Sequence, residues 1–296
     1  MTVKRSSMAG PVQIHIIGAS GRSGVALCRS LLTESRPPIP VVRDAAKWHA
    51  TGIGIVPRVA NLGDAASLTT ALADATDVVC CAHASHTQAV IDAAPVAARL
   101  FFLGSTRKFT RWPDAHGNGV IAGAAAFNAS GRSGVMLHPT MVYGAQSENN
   151  VQRLAALLGR LPIVPLPDGG KALVQPIHQD DVTRAIRAAL DRRWDGPQSL
   201  VIAGPTPLPY ADFVRAVAAA AGLRRPHIVG APARLLVAVA QLLRHVPRLP
   251  KVQPAEIRRL TEDKAFDVRP MQQILGIQPI PLHEGLARTF AALHML

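Results

Sequence analysis

Aromatic residues and cysteines are scarce in this 296-residue chain. Phe, Trp and Tyr together form 4% of it, so we expect no dedicated nucleic-acid binding of the kind that stacks bases on aromatic rings. Three cysteines without a CxxC pair exclude a disulfide framework, and no histidine cluster has the ligands for a metal site. No apolar run reaches the roughly 18 residues of a membrane span, and the N-terminus lacks a signal-peptide pattern. These features predict a cytoplasmic protein.

Apolar residues and positive charge are abundant. Hydrophobic residues form 48% of the chain and charged residues 17%, which is enough apolar material for a large core. Lys and Arg number 32 against 19 Asp and Glu, for a formal net charge of +13. Such a charge attracts anionic small molecules, acidic lipids or nucleic acid.

Apolar strand patterns alternate with helical patterns through the first two thirds of the chain. Asp77 to Ala82 (DVVCCA) and Leu100 to Leu103 are continuously apolar, as strands buried on both faces of a parallel sheet are. This alternation predicts an α/β fold, a Rossmann-type doubly wound parallel sheet with a smaller, mostly helical C-terminal lobe. We assign residues 12–145 plus 174–204 to the sheet domain and 146–173 plus 205–296 to a substrate-binding lobe.

A glycine-punctuated turn follows the first predicted strand. The segment GASGRSG spaces three glycines by three residues between a strand and a helix. Glycine at such a turn lets backbone amides approach a pyrophosphate, whose charge the helix N-terminus favours. The motif therefore predicts a dinucleotide site. Its expected contacts are Gly18, Ser20, Gly21, Arg22, Ser23 and Gly24.

The string ASGRSGV occurs twice, at 19–25 and at 129–135. The second copy lies after a predicted helix and before a predicted strand. No helix begins after it, so its amides are not arranged around a phosphate. We predict a helix-to-strand turn without a ligand at 129–135.

The second predicted strand ends in Val42, Arg43 and Asp44. In a doubly wound nucleotide-binding fold this position faces the adenosine ribose, where an acidic residue binds the 2′-hydroxyl and an arginine favours a 2′-phosphate. Arg43, with Arg22 as a second candidate, favours NADP as the cofactor. Asp44 leaves NAD as the alternative.

The order of motifs resembles that of extended and atypical short-chain dehydrogenase/reductases, including the NAD-dependent epimerase/dehydratase and NmrA-like groups. The resemblance covers about 13–290 and is carried by GASGRSG, VVRDAAK, ANLGDAASL, DVVCCAHAS, FFLGST, HPTMVYG and PIHQDDV, with the C-terminal RRLTEDKAFDVRPMQQILGIQP. It implies an NAD(P)-dependent oxidoreductase or epimerase-like enzyme. The implied substrate is a polar small molecule, a sugar nucleotide or a lipid-linked compound among the candidates.

The resemblance also implies where the cofactor lies. Asn61 and Leu62 stand where the family contacts adenine, usually with Asp-Leu. Asn61 retains a polar group for the exocyclic amine. Ala82, His83 and Ala84 follow the strand whose backbone runs along the cofactor in that family.

Two further groups of residues are implied near the reacting end of the cofactor. Ser105 and Thr106 follow the next strand, where the family places a hydroxyl on the substrate oxygen. Pro139, Thr140 and Met141 stand beside the nicotinamide.

The chain departs from the family at its catalytic pair. The family uses Tyr-x-x-x-Lys, in which tyrosine is the general acid or base and lysine lowers its pKa. The two tyrosines, Tyr143 and Tyr210, are followed four residues later by Ser147 and Val214. The usual proton relay is therefore absent.

Two interpretations of this absence stay open. In the register that the resemblance implies, His116 stands at the tyrosine position and Val120 at the lysine position, and His116 or Asp114 would replace the tyrosine. Alternatively, the protein binds NADP(H) without turning it over, as a redox sensor or an assembly scaffold. Catalytic candidates are thus Ser105, Thr106 and His116.

The segment 231–246 (APARLLVAVAQLLRHV) is almost wholly apolar. We interpret it first as a core-facing helix of the C-terminal lobe. The alternative is a surface helix in weak contact with a membrane or with a lipid-linked substrate.

Overall fold

The computed structural model describes residues 12–144, 150–161, 163–243 and 254–291. Its first half contains β1 (Ile14–Ile17), α1 (Arg22–Thr33), β2 (Ile39–Val42), α2 (Ala45–His49), β3 (Arg58–Val59), α3 (Ala65–Leu72), β4 (Asp77–Cys80), α4 (Thr87–Ala93), β5 (Arg99–Leu103), α5 (Ala115–Ala129), β6 (Gly134–Pro139) and β7 (Val142–Tyr143). Its second half contains α6 (Asn150–Leu158), β8 (Ile163–Pro167), β9 (Leu173–Val174), β10 (Ile177–His178), α7 (Gln179–Leu190), β11 (Pro197–Ile202), β12 (Leu208–Pro209), α8 (Tyr210–Ala220), β13 (His227–Ala231), α9 (Ala233–Leu243), α10 (Pro254–Arg259), α11 (Arg269–Leu275) and α12 (Leu282–Ala291).

Seven strands of the described chain form one parallel sheet in the order β11-β6-β5-β4-β1-β2-β3. The strand order reverses between β1 and β4, which makes the carboxyl ends of these two strands the switch point where such sheets bind ligands. The predicted doubly wound Rossmann-type sheet is confirmed.

Both faces of the sheet are covered by helices. Every residue of β1, β4 and β6 is buried, as expected for parallel strands between two helical layers. The core on one face includes side chains of α1 and α7. The core on the other includes side chains of α3, α4 and α5. Helix α1 shows how the pattern arises, because Gly24, Leu27, Cys28 and Leu31 recur at helical spacing and are its buried residues.

A third core lies in the C-terminal lobe. It joins apolar residues of β7, α6, β8, β9, α8 and α12. Helix α11 belongs instead to the packing of the sheet, since Met271 and Leu275 lie in the same core as α1 and α7. The predicted lobe segment 205–296 therefore also supplies part of the sheet's cover.

Several boundaries differ from the sequence prediction. Helix α5 begins at Ala115, because Asp114 caps it by accepting a hydrogen bond from Gly117 N at 2.7 Å. The helix predicted over 231–246 is observed as Ala233–Leu243, and Arg244 and His245 lie outside the described residues. The paired strands β8 and β13 were not predicted.

The second ASGRSGV copy forms a helix-to-strand turn, as predicted. Gly131 follows α5 with φ +65°, and Gly134 opens β6 with φ +146°. The Arg132 guanidinium donates to the carbonyl oxygens of Ile91, Pro95 and Ala98. This arginine therefore joins the turn to the end of α4 and the start of β5.

The two glycines of this turn should differ sharply in their tolerance of alanine. A Cβ at Gly134 would overlap Leu100 O of the neighbouring strand, whereas a Cβ at Gly131 meets nothing within 4 Å. We expect Gly134→Ala to lower the free energy of unfolding by about 3 kcal/mol or more. Gly131→Ala should cost only the ~1 kcal/mol of a left-handed alanine. Urea unfolding followed by circular dichroism measures both, and equal losses would contradict this account.

Candidate functional site

The first glycine loop brings three strands together at one backbone position. Gly18 has φ +73°, and its amide donates to Val41 O of β2 at 3.0 Å. A Cβ on Gly18 would lie 3.1 Å from Ala82 N, just beyond β4. A side chain here would be strained by the positive φ and would press on the β4 backbone. Glycine is therefore required for β1, β2 and β4 to meet at this edge.

Helix α1 begins directly after the loop with its amides open to a ligand. Gly21 is its N-cap in extended conformation, and no side chain accepts a hydrogen bond from the first turn. Gly24 packs on the loop itself, since a Cβ there would overlap Gly18 O. Ser23 serves packing between helices, because its hydroxyl donates to Gln179 Oε1 of α7 at 3.1 Å. This edge offers backbone donors and a positive helix end to an anion.

Arg43 and Asp44 at the end of β2 have different surroundings. Asp44 caps α2, with its Oδ1 accepting from Lys47 N at 3.1 Å. Arg43 is exposed, two residues after the carbonyl that binds the Gly18 amide. Because one Asp44 oxygen serves the helix, the arginine is the less committed of the two candidate ribose contacts.

Asn61 and Leu62 follow β3 at the same edge of the sheet. The Asn61 side chain accepts a hydrogen bond from Gly63 N at 3.0 Å, in a turn that leads into α3. Leu62 packs partly buried against the core below. The turn fixes the Asn61 carbonyl oxygen, while the amide nitrogen takes no part in that bond.

His83, beyond β4, is paired with His116 at the start of α5. Their ring centroids lie 4.3 Å apart in an edge-on arrangement. His83 Nδ1 accepts from Ser85 N at 3.2 Å, so Nε2 carries the hydrogen in the neutral ring. That Nε2 is buried without a hydrogen-bond partner among the described residues. A buried donor in this position can serve a bound ligand.

The charged groups around the start of α5 lower the pKa values of both His116 and Asp114, the two proposed replacements for the tyrosine, with different consequences for each. Burial and the neighbouring Arg107 lower the pKa of His116, so its imidazole is neutral at pH 7 and available for proton transfer. Burial opposes ionisation of Asp114, but the Gly117 amide, Arg107 and Arg259 together lower its pKa. Asp114 also receives hydrogen bonds from both guanidinium groups, at 2.8 and 2.9 Å. His116 is therefore the better proton-transfer group.

The hydroxyls of Ser105 and Thr106 are both used within the protein. Ser105 caps a short 3₁₀ helix, Thr106–Phe109, by accepting from Arg107 N at 3.1 Å. Thr106 Oγ1 donates to Pro139 O at 3.2 Å. Each oxygen keeps lone pairs for a ligand, but neither hydroxyl is free of an internal role.

Residues at the end of β6 lie at the same edge. Thr140 N donates to Ile202 O at 3.0 Å, and Met141 O accepts from Ile177 N at 3.0 Å. Thr140 Oγ1 is buried without a partner in the described part of the chain. This hydroxyl and His83 Nε2 are thus two polar groups that the protein leaves unsatisfied at the carboxyl ends of the strands.

One cluster beside the predicted site has no sequence signal. Lys108 Nζ lies 3.0 Å from His138 Nε2, which lies 2.9 Å from Ser199 Oγ. Burial of the fully enclosed His138 and the Lys108 charge lower the His138 pKa to about 4. Burial also lowers the pKa of Lys108. Together with the Thr106 bond to Pro139, this contact fastens the 3₁₀ helix to β6.

The C-terminal lobe makes hydrogen bonds to the end of the β5–α5 loop that leads into α5. The buried carboxylate of Glu262 accepts from the Thr110 hydroxyl at 2.8 Å and from Arg111 N at 2.6 Å. Arg259 donates to Asp114, the cap of α5. The sequence carries no local signal for these lobe residues, because their partners are about 150 positions away in the chain.

Neither tyrosine occupies the position of a catalytic residue. Tyr143 is 1% exposed, and a Cβ on Gly285 of α12 would overlap its hydroxyl. Burial raises its pKa. Tyr210 starts α8 in the lobe, where burial raises its pKa to about 12. Val120, at the position of the family's lysine, is 1% exposed in the core. Ser147 lies outside the described residues.

Several observations fit a dinucleotide at this edge of the sheet. The Gly18 turn would be blocked by any side chain, the α1 N-terminus is uncapped by side chains, and His83 and Thr140 present unsatisfied polar atoms. Within the described ranges, no three or more His, Cys, Asp or Glu side chains are grouped to hold a metal ion.

Solved structures of the same fold have low sequence identity to this chain. The NADPH-dependent quinone oxidoreductase of Escherichia coli, complexed with NADPH, has TM-score 0.75 and 20% identity over 94% of this chain and 100% of that one. A short-chain dehydrogenase/reductase superfamily protein from Agrobacterium tumefaciens with bound NAD has TM-score 0.70 and 16% identity, over 96% and 97%. A nucleoside-diphosphate-sugar epimerase from Staphylococcus aureus has TM-score 0.70 and 15% identity, over 93% and 100%.

The chain shares its fold with these solved structures. The resemblance drawn from the motifs is confirmed at the level of the fold and over nearly the whole chain. No protein-family model matches the sequence, and no curated protein matches it significantly. None of the helices in the described ranges has both the length and the hydrophobicity for crossing a bilayer.

The buried imidazole of His138 should make stability depend on pH. Its pKa is about 4 in the folded protein and about 6.5 in the unfolded chain. Between these values the unfolded chain binds more protons. The free energy of unfolding should therefore fall as pH drops from about 6.5 to about 4, by a contribution of order 3 kcal/mol.

His138→Gln should remove this part of the pH dependence, which urea unfolding across that range measures. Ser199→Ala is the matched control, because it keeps the buried imidazole and should keep the dependence. A His138→Gln profile parallel to that of the parent protein would disprove the assignment.

Proposed function

We propose that this protein binds NADPH at the carboxyl ends of β1, β2 and β4 and is an oxidoreductase or epimerase-like enzyme that acts on a polar small molecule. The observation that carries the proposal is the Gly18 turn, which directs the open N-terminus of α1 to the point where the strand order reverses. The neighbours with NADPH or NAD bound support the choice of ligand. Three free cysteines, two of them buried, fit the cytoplasm.

Each segment of this edge has a role in holding the cofactor. The backbone from Gly18 to Gly24 takes the pyrophosphate, and Arg43 with Arg22 takes the ribose 2′-phosphate. Asn61 and Leu62 border the adenine. Ala82, His83 and Ala84 run along the cofactor, and Pro139, Thr140 and Met141 border the nicotinamide. Bound NADPH would supply or accept a hydride.

His116 is the proposed proton-transfer residue. It occupies the first turn of α5, its lowered pKa keeps the ring neutral, and its contact with His83 sets the orientation of its ring. Ser105 accepts its internal hydrogen bond and keeps its hydroxyl hydrogen to donate to a substrate oxygen. Thr106 donates its hydrogen to Pro139 O, so it would accept from a substrate hydroxyl. The imidazole would donate or accept the proton that tyrosine handles in related enzymes.

The second candidate function is a non-catalytic NADP(H)-binding sensor or scaffold. Its support is the core position of Val120, which leaves no lysine where the family has one. The internal bonds of Ser105 and Thr106 also suit a site that holds a ligand without reacting. Turnover decides between the two functions.

The first test is cofactor preference. The protein should bind NADPH about tenfold to a hundredfold more tightly than NADH, because a charge-assisted contact of Arg43 with the 2′-phosphate contributes ~1.5–3 kcal/mol. Arg43→Ala should remove most of this difference. Fluorescence titration with both nucleotides measures it.

Glycine variants control this titration. Gly21→Val should abolish binding of both nucleotides, because a branched side chain would fill the space of the pyrophosphate. Gly131→Ala, in the identical string at 129–135, should leave binding intact. Equal affinity of the parent for NADH and NADPH would make Asp44 the ribose contact, and loss of binding by folded Gly131→Ala would refute the assignment of the first copy.

The second test concerns proton transfer. His116→Ala should lower turnover by about a hundredfold or more, the usual range for loss of a general acid or base, with unchanged NADPH affinity. Tyr143→Phe should change turnover by less than about tenfold, since its hydroxyl is buried against α12. Oxidation of NADPH with a panel of quinones, aldehydes and sugar-nucleotide ketones gives the rates.

The pH profile adds a second readout. Activity of the parent should change with a group that titrates below about pH 6.5, because the His116 pKa is lowered, and His116→Gln should lose that transition. Parent-like rates in His116→Ala would end the imidazole hypothesis. NADPH binding without turnover of any substrate by the parent would establish the sensor or scaffold in place of the enzyme.

A further inference from the structure

Helix α9 is apolar except for Arg234 and Gln241, and it has no buried residue among its described side chains. Ala233, Leu236, Val237 and Ala240 are half-buried at helical spacing and form its inner face, with α9 in contact with β8 and α10. Leu235, Ala238 and Val239 are exposed on the opposite side. We call these three residues the outer face of α9. A helix with large apolar side chains on opposite faces is usually covered on both of them.

The exposure of this outer face is substantial. Leu235 is 56% exposed and Val239 42%. The paired strands next to α9 add Val229 of β13 at 40% and Ile163 of β8 at 54%. Large apolar side chains on three packed elements of one lobe are characteristic of a surface that contacts something else.

The charge of the segment around α9 indicates which kind of partner surface is complementary to it. From Phe213 to Ala255 the sequence has seven Arg and Lys residues and no Asp or Glu. Arg224 and Arg225 are exposed just before β13, and Arg234 is exposed beside the outer face. Exposed carboxylates also lie near this surface, with Glu256 on α10, which contacts α9, and Asp168 on the turn that contacts β13, but basic residues outnumber them. An exposed apolar face in such a basic segment is complementary to an interface that is apolar below and anionic at its surface.

A second copy of the chain fits this surface poorly. A symmetric dimer would place the patch against itself, and the basic segment would then face like charges, since its seven basic residues outnumber the nearby carboxylates of Glu256 and Asp168. A nucleic acid matches the charge but not Leu235 and Val239, which offer no ring for base stacking. An anionic bilayer satisfies both properties.

We propose that the outer face of α9, with Arg224, Arg225 and Arg234, docks the protein on an anionic phospholipid membrane. Eleven residues of helix extend about 16 Å, roughly half the hydrocarbon thickness, so α9 lies in the interface plane and does not cross it. The apolar side chains enter the headgroup boundary and the arginines bind lipid phosphates. This surface is separate from the dinucleotide site, so its test is independent of the proposed function.

Vesicle sedimentation of the full chain tests the proposal. The protein should pellet with phosphatidylcholine vesicles that contain phosphatidylglycerol, bind far less to pure phosphatidylcholine, and dissociate as salt is raised. The double variant Leu235→Glu/Val239→Glu should weaken binding about tenfold or more. Arg224→Gln/Arg225→Gln should weaken it by roughly tenfold as well, without altering an apolar contact.

Val56→Glu/Val96→Glu is the matched control. Both valines lie outside the lobe and are 85% and 87% exposed. Their replacement by glutamate introduces the same number of negative charges as the α9 variant. This variant should bind vesicles like the parent. Equal losses in the two glutamate pairs would attribute binding to net charge and overturn the proposal, as would a parent that fails to bind phosphatidylglycerol vesicles.

Light scattering during size exclusion examines the competing occupant. If the parent is an oligomer that Leu235→Glu/Val239→Glu converts to a monomer, and neither binds vesicles, a second copy covers α9 and the membrane proposal is wrong. Melting curves of each variant establish that it is folded. The arginine pair, wholly on the surface, decides the question if the α9 pair unfolds.

Discussion

Three strands meet at the backbone of Gly18, and the position of the ligand edge depends on that meeting. The Gly18 amide is bonded to Val41 O of β2, and its Cα faces the Ala82 amide beyond β4. Only a residue without a side chain can turn at positive φ in this space. Helix α1 then starts within four residues with its positive end at the switch point of the sheet. The ribose, pyrophosphate and nicotinamide positions proposed above all follow from this turn.

The loop from β5 to α5 is the second determinant, and it is held from two directions. On the sheet side, Thr106 bonds to Pro139 and Lys108 contacts His138. On the lobe side, Glu262 binds the Thr110 hydroxyl, and Arg259 binds the cap of α5. His116 lies two residues after that cap, so its place beside His83 depends on the docking of the lobe. The lobe therefore helps to fix the position of His116, the proposed proton-transfer residue.

Identical sequence acquires different roles through its neighbours. In the first ASGRSGV copy, Arg22 opens a helix at a ligand edge. In the second, Arg132 donates hydrogen bonds to three carbonyl oxygens and stabilises a turn. Hydroxyls show the same dependence: Ser23 bonds to α7, and Ser105 caps a 3₁₀ helix. A motif specifies which groups are present, and packing decides which of them stay open to a ligand.

The fold class and the glycine loop were predictable because their signals are local. Continuous apolar runs such as DVVC, the helical spacing of α1 and the glycines after β1 each act within a few residues, and the loss of the Tyr-x-x-x-Lys pair is equally visible in the chain. Tertiary structure alone decided that Asp44 caps a helix and that Val120 is buried. It also decided the Lys108–His138 contact and the hydrogen bond from Thr110 to Glu262, 152 positions away. Hydrogen bonds and burial of this kind depend on which distant segments pack together, and no local pattern encodes that pairing.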